Sequence, residues 1–61
     1  MEIHVVGENR QDIIGQVKSI VASYLEIGDP DEAITKCDME LSVLYTGESN
    51  HCSAVAYIKF K

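Results

Sequence analysis

The spacing of hydrophobic and polar residues changes along the chain, and each change marks an element. Residues 1–6 alternate: Met1, Ile3 and Val5 share one side and Glu2, His4 and Val6 the other, the two-residue period of a half-buried strand. Gly7 closes it. From Asn9 the period becomes helical, with Ile13, Ile14, Val17, Ile20, Val21, Tyr24, Leu25 and Ile27 forming one wide apolar stripe. Asn9 is placed to cap this helix, and Asp12 falls at its third position, where an acid suits the helix dipole. Gly28 is expected to be the left-handed residue that stops it. Gly15, alone inside the helix, reads as a glycine kept small for close packing.

Asp29-Pro30-Asp31-Glu32 repeats the signature of a helix start, with Asp29 as cap, Pro30 at the first position and Glu32 as the capping-box acid. Too few residues follow for more than a short helix near residues 30–36. From Cys37 the period returns to two. Cys37, Met39, Leu41, Val43 and Tyr45 form one face of a strand, and Asp38, Glu40, Ser42 and Leu44 the other. Thr46-Gly47-Glu48-Ser49-Asn50 has turn chemistry. A last strand places Cys52, Ala54, Ala56, Ile58 and Phe60 inward and Ser53, Val55, Tyr57 and Lys59 outward.

These faces limit the hairpin register. Inward positions are odd in the second strand and even in the third, so paired numbers must sum to an odd value. A tight loop centred on Glu48-Ser49 pairs Tyr45 with Cys52, Val43 with Ala54, Leu41 with Ala56, Met39 with Ile58 and Cys37 with Phe60. Large residues of the second strand then face alanines of the third, leaving room for a helix over a central third strand. Residues 1–61 are therefore expected to form a single α+β domain of β-α-β-β order. One long helix packs on a three-stranded, mainly antiparallel sheet of order 1-3-2.

Composition narrows the function classes. The chain has 61 residues, 46% of them hydrophobic, enough for a core and too many for a disordered segment. It holds no apolar run near the roughly 20 residues of a membrane span, and no signal-peptide core, so a cytoplasmic protein is expected. Net charge is −5, concentrated in residues 26–40, where Glu26, Asp29, Asp31, Glu32, Asp38 and Glu40 face Lys36 alone. With no cluster of Lys and Arg, direct nucleic-acid binding is disfavoured.

Candidate chemistry is sparse. Cys37 and Cys52 fall near opposite ends of the hairpin, about 23 Å apart at roughly 3.3 Å per residue, too far for a disulfide. His4, His51, Cys37 and Cys52 lack the spacing of a zinc site. Asp29, Asp31 and Glu32 match only half of a calcium loop. His51 and Cys52, adjacent on a strand, point to opposite faces and cannot act as base and nucleophile. No enzyme, cofactor or metal is expected.

The strand, helix, strand, strand order is similar to that of the dodecins, small flavin-binding proteins. The tryptophan on which those proteins stack flavin has no counterpart here, so the resemblance carries over no cofactor site. The opening strand and helix also resemble those of ribosome hibernation factors, without their basic RNA-binding surface.

Two features remain for function. One is the acidic segment, from which Asp31, Asp38 and Glu40 form a candidate patch for a protein partner that is basic or itself binds nucleic acid. Small acidic inhibitors of phages and mobile elements share this size and charge. The other is the sheet face away from the helix, where Val6, Leu44, Val55 and Tyr57 are apolar although an uncovered face ordinarily turns polar. Either these are scattered exposed apolar side chains, which are common, or the face is a partner interface. It equally suits a homo-oligomer that binds a small ligand, or a purely structural oligomerisation module.

Overall fold

Ala54 and Ala56, the smallest residues of the last strand, lie at the centre of the fold. The computed structural model describes residues 1–45 and 51–61. Its elements are β1 (Glu2–Gly7), α1 (Arg10–Leu25), α2 (Pro30–Ile34), β2 (Cys37–Tyr45) and β3 (Cys52–Phe60). The strands form one sheet of order β1-β3-β2, with β3 antiparallel to both neighbours. The α+β arrangement and the strand order are those expected from the sequence. So is the register: Cys37 pairs with Phe60, Met39 with Ile58, Leu41 with Ala56, Val43 with Ala54 and Tyr45 with Cys52. The turn assigned to residues 46–50 lies outside the described residues.

On the other side of β3, Ile3 pairs with Ala56 and Val5 with Ala54. Two rows therefore run across the sheet, Ile3–Ala56–Leu41 and Val5–Ala54–Val43, each large, small, large. α1 packs over this face, and its Ile13, Val17 and Val21 are completely buried. Burying such a side chain contributes about 1.5–3 kcal/mol. Ala33 of α2 and Cys37, Cys52 and Ile58 of the sheet complete the core. The helix does not reach across the whole sheet. On β2, the inward Met39, Leu41 and Val43 are only partly buried.

The passage from β1 into α1 is tightly specified. The Asn9 side chain accepts from the Asp12 N–H at 2.8 Å, and the Asp12 carboxylate accepts from the Glu8 N–H at 3.1 Å. Gln16 Nε2 donates to the Val6 carbonyl at 2.9 Å, which ties the helix to β1. A Cβ on Gly7 would come within 2.6 Å of the Asp12 carboxylate, so glycine is what lets this network close.

Three local expectations need correction. Gly28 does not end the long helix. Glu26 does, at φ 58° and ψ 38°, as the only non-glycine residue with positive φ among those described. The Glu26 N–H donates to Ser23 O and the Ile27 N–H to Ala22 O, the paired bonds of a Schellman motif. Ending there turns the partly buried Ile27 onto the core, and Glu26 accepts the left-handed backbone that this requires. Gly15 is exposed, and a Cβ there would meet nothing within 4 Å, so close packing is not its role. Ile20 and Tyr24, assigned to the buried stripe, are 41% and 64% exposed. Tyr24 stacks on Phe60 beyond the end of β1, with ring centroids 5.2 Å apart.

α2 begins as expected. Asp29 caps it by accepting from the Asp31 N–H at 3.0 Å, and Pro30 opens it. No return bond from the Glu32 side chain is formed among the described residues. Among those residues, no helix is long and apolar enough to cross a membrane.

Candidate functional site

Alternation along the three strands sends Glu2, His4 and Val6, then Asp38, Glu40, Ser42 and Leu44, then Ser53, Val55, Tyr57 and Lys59 to the face away from α1. No described element covers this face. Read across the strands, it consists of four rows. At one end Val6, Ser53 and Leu44 lie side by side, followed by His4, Val55 and Ser42. Next comes Tyr57 between Glu2 and Glu40, and last Lys59 beside Asp38. The face is thus graded, apolar towards the end of β2 and charged towards its start.

The candidate apolar residues are where the sequence places them. Val6 is 58% exposed, Leu44 68% and Tyr57 49%, with Val55 partly buried between its neighbours. Pairing brings Val6 and Leu44 to either side of Ser53, with Val55 one row below. A shallow depression of about 550 Å³ spans this end, with Val6, Leu44 and Val55 among its walls.

The candidate acids do not stay together. Asp38 and Glu40 lie on the uncovered face. Asp31 lies on α2, in the helix layer, where it accepts a hydrogen bond from Lys18 Nζ at 2.8 Å. The sheet separates the two groups, because the chain passes from the helix layer into β2 between residues 34 and 37. What joins Glu40 instead is Glu2, brought to the other side of Tyr57 by the β1–β3 register. Sequence reasoning did not select Glu2. The signal was its shared parity with His4 and Val6, but which β3 residue it meets depends on a register that no short turn fixes.

The electrostatics of the charged end follow from its pairs. The Glu2 carboxylate contacts His4 Nε2 at 2.7 Å, and Asp38 lies 4.0 Å from Lys61 Nζ. Glu40 forms no ion pair among the described residues. A depression of about 490 Å³ opens here, lined by Met1, Glu2, Asp38, Glu40, Tyr57, Ile58 and Lys59. An aromatic ring with a carboxylate on each side can receive a planar cation: the ring face attracts it and the carboxylates accept its hydrogen bonds.

The remaining candidates are dispersed. Cys37 and Cys52 are free, buried thiols at opposite ends of the hairpin. The Cys37 thiol donates to Ile34 O at 3.7 Å and the Cys52 thiol to Gly7 O at 3.4 Å, so each meets a backbone carbonyl of a neighbouring element. Among the described residues, no three His, Cys, Asp or Glu side chains converge as a metal site would require. Compared with protein-family models, curated proteins and solved structures, the chain matches none.

Proposed function

We propose that this chain is a binding module that docks on a basic protein partner through the uncovered face of its sheet. The observation that carries the reading is the row Glu2–Tyr57–Glu40. An arginine of the partner lies over the Tyr57 ring, with its N–H groups directed to the two carboxylates. Cation–π attraction at an exposed site contributes about 0.5–1 kcal/mol, and hydrogen bonds to charged groups about 1.5–3 kcal/mol. Beyond that row, Val55, Val6 and Leu44 supply apolar area that a partner removes from water. Aromatic residues beside apolar ones, ringed by charge, are the usual composition of an interface centre and rim.

The acidic character acts in two ways. Glu2 and Glu40 bind at short range, and the net charge of −5 attracts a basic partner from further away. Asp31, on the other side of the sheet and paired to Lys18, contributes only to the second effect.

Titration with a fluorescent hexa-arginine peptide tests the reading. Wild-type protein should bind it with an affinity that falls as salt rises. Glu40→Gln should weaken binding roughly tenfold, the size of one lost charge-assisted contact, and Tyr57→Ala about two- to fivefold, the size of an exposed cation–π contact. Asp31→Asn should leave it nearly unchanged. Equal losses from Asp31→Asn and Glu40→Gln would reduce the effect to diffuse charge and overturn the site. So would equal binding of hexa-arginine and a hexa-glutamine control.

A further inference from the structure

A group that changes charge near neutral pH stands beside the Glu2–Tyr57–Glu40 row. His4 follows Glu2 on the same face of β1, opposite Val55 and diagonal to Tyr57. Its Nε2 lies 2.7 Å from Glu2 Oε1, and both side chains are more than half exposed to water. An ionised carboxylate only accepts, so a neutral imidazole makes this contact by donating from Nε2. Glu2 then keeps its negative charge and has its second oxygen open to a partner. A protonated imidazole makes the same contact as an ion pair. It offsets the charge of Glu2 and sets a cation next to the place where an arginine of the partner would lie. Histidine takes up its proton between about pH 8 and pH 5, so both states are within reach of ordinary conditions.

We infer that His4 is a proton-operated gate on the docking site, weakening its hold on a basic partner as pH falls. The inference rests on the site proposed at Glu2, Tyr57 and Glu40 and adds its regulation. The groups around His4 set the sign. Glu2 faces it from its own strand, Tyr57 from β3 and Glu40 from β2 beyond, with Lys59 and Asp38 one row past Tyr57. The Met1 ammonium, which donates to Ile58 O at 2.7 Å, borders the same depression. Carboxylates as a class stay ionised through this window, phenols and lysines stay protonated, and arginine never loses its proton. α-Amino groups titrate at its upper edge, near pH 8. His51 lies six residues from Tyr57 in the chain, beyond the start of β3. At about 3.3 Å per residue that is roughly 20 Å, more than twice the screening length of about 8 Å in physiological salt. Acidification therefore adds positive charge at the site through His4. By linkage, a bound arginine drives that proton off, so affinity rises with pH.

The test is the pH profile of binding to hexa-arginine with both peptide ends blocked, at constant salt. Between about pH 7.5 and pH 5.5 the wild-type affinity should fall about two- to fivefold, the scale of interactions between exposed charges. His4 is exposed, so its substitution spares the core. His4→Gln keeps a hydrogen-bond donor and leaves Met1 and His51 in place, and it should lose most of the pH response. His4→Lys is positive at both ends of the range and should bind at both as weakly as the acidified wild type. A second measurement needs no variant. Calorimetry near pH 6.5 in buffers of different ionisation enthalpy should show a fraction of a proton released as hexa-arginine binds the unmodified chain. Parallel pH responses in wild type and His4→Gln, a wild-type affinity that is flat or rises on acidification, or binding without proton release would each overturn the gate while leaving the site standing. Failure of the site itself looks different: at about pH 7.5 hexa-arginine would not bind, or would bind equally to Glu40→Gln, and the gate would fall with it.

Discussion

The two sides of β3 differ in kind although they belong to one strand. Towards α1 it carries Cys52, Ala54, Ala56 and Ile58, all buried; away from it, Ser53, Val55, Tyr57 and Lys59, exposed or partly so. On the covered side the central residues are small, and Ala54 and Ala56 lie in one buried cluster with Val17 and Val21 of the helix. On the uncovered side the residues are larger, and no described element rests on them. Small apolar residues therefore mark where the chain packs on itself. Large ones left in water mark where packing is still to come from elsewhere.

This contrast is tested first on the covered side. Ile13→Ala empties a completely buried position and should cost about 2–5 kcal/mol. A chain of this length has a total stability of only about 3–9 kcal/mol, so denaturant unfolding should find the variant marginal or unfolded. Ala56→Leu tests the same layer from the sheet. Adding volume beneath α1 should cost about 1–3 kcal/mol, read as a lower denaturant midpoint. Were Ala56→Leu neutral, α1 would not lie close over β3 and the contrast would fail.

Smaller effects sharpen how α1 is held on that side. Gly7→Ala drives a methyl group into the Asp12 carboxylate and should cost about 1–2 kcal/mol, comparable to loss of a helix cap. Gly15→Ala should stabilise by about 0.5–1 kcal/mol, since its Cβ meets nothing and the helix gains propensity. In a thermal melt that is a rise of several degrees, at about 4–8 °C per kcal/mol for a domain of this size. The smallest change is expected on the uncovered side. Tyr57→Ser should move stability by only about 0.2–1 kcal/mol, the scale of cross-strand contacts. A loss as large as that of Ala56→Leu would mean that Tyr57 belongs to the fold and not to a binding surface.

Much of the architecture was legible because the strands are written in parity. Odd numbers inward in β2 and even in β3 leave few registers, and a short connection selects one; the pairs from Cys37–Phe60 to Tyr45–Cys52 follow. Alanines opposite Leu41 and Val43 indicated which strand the helix covers. Local backbone choices were harder to read. A glycine at 28 looks like a helix stop, yet the helix ends where Ile27 can reach the core, and that tertiary demand places Glu26 in the left-handed region.

The candidate surface was half legible for a related reason. Val6, Leu44, Val55 and Tyr57 share a face by alternation alone. The acids of residues 26–40 are close in sequence, but the passage from α2 to β2 divides them between the helix layer and the open face. Glu2 joins Glu40 only through the β1–β3 register, which spans the chain from end to end.

The central claim, that the uncovered face receives a basic partner, is tested most directly by residue-resolved NMR during titration with hexa-arginine. Amide and aromatic shifts should move at Glu2, Val55, Tyr57 and Glu40, and the changes should shrink as salt is added. The amides of Asp31, Ala33 and the exposed side of α1 should stay in place. Shifts centred on α2, or spread evenly over both faces, would contradict the account.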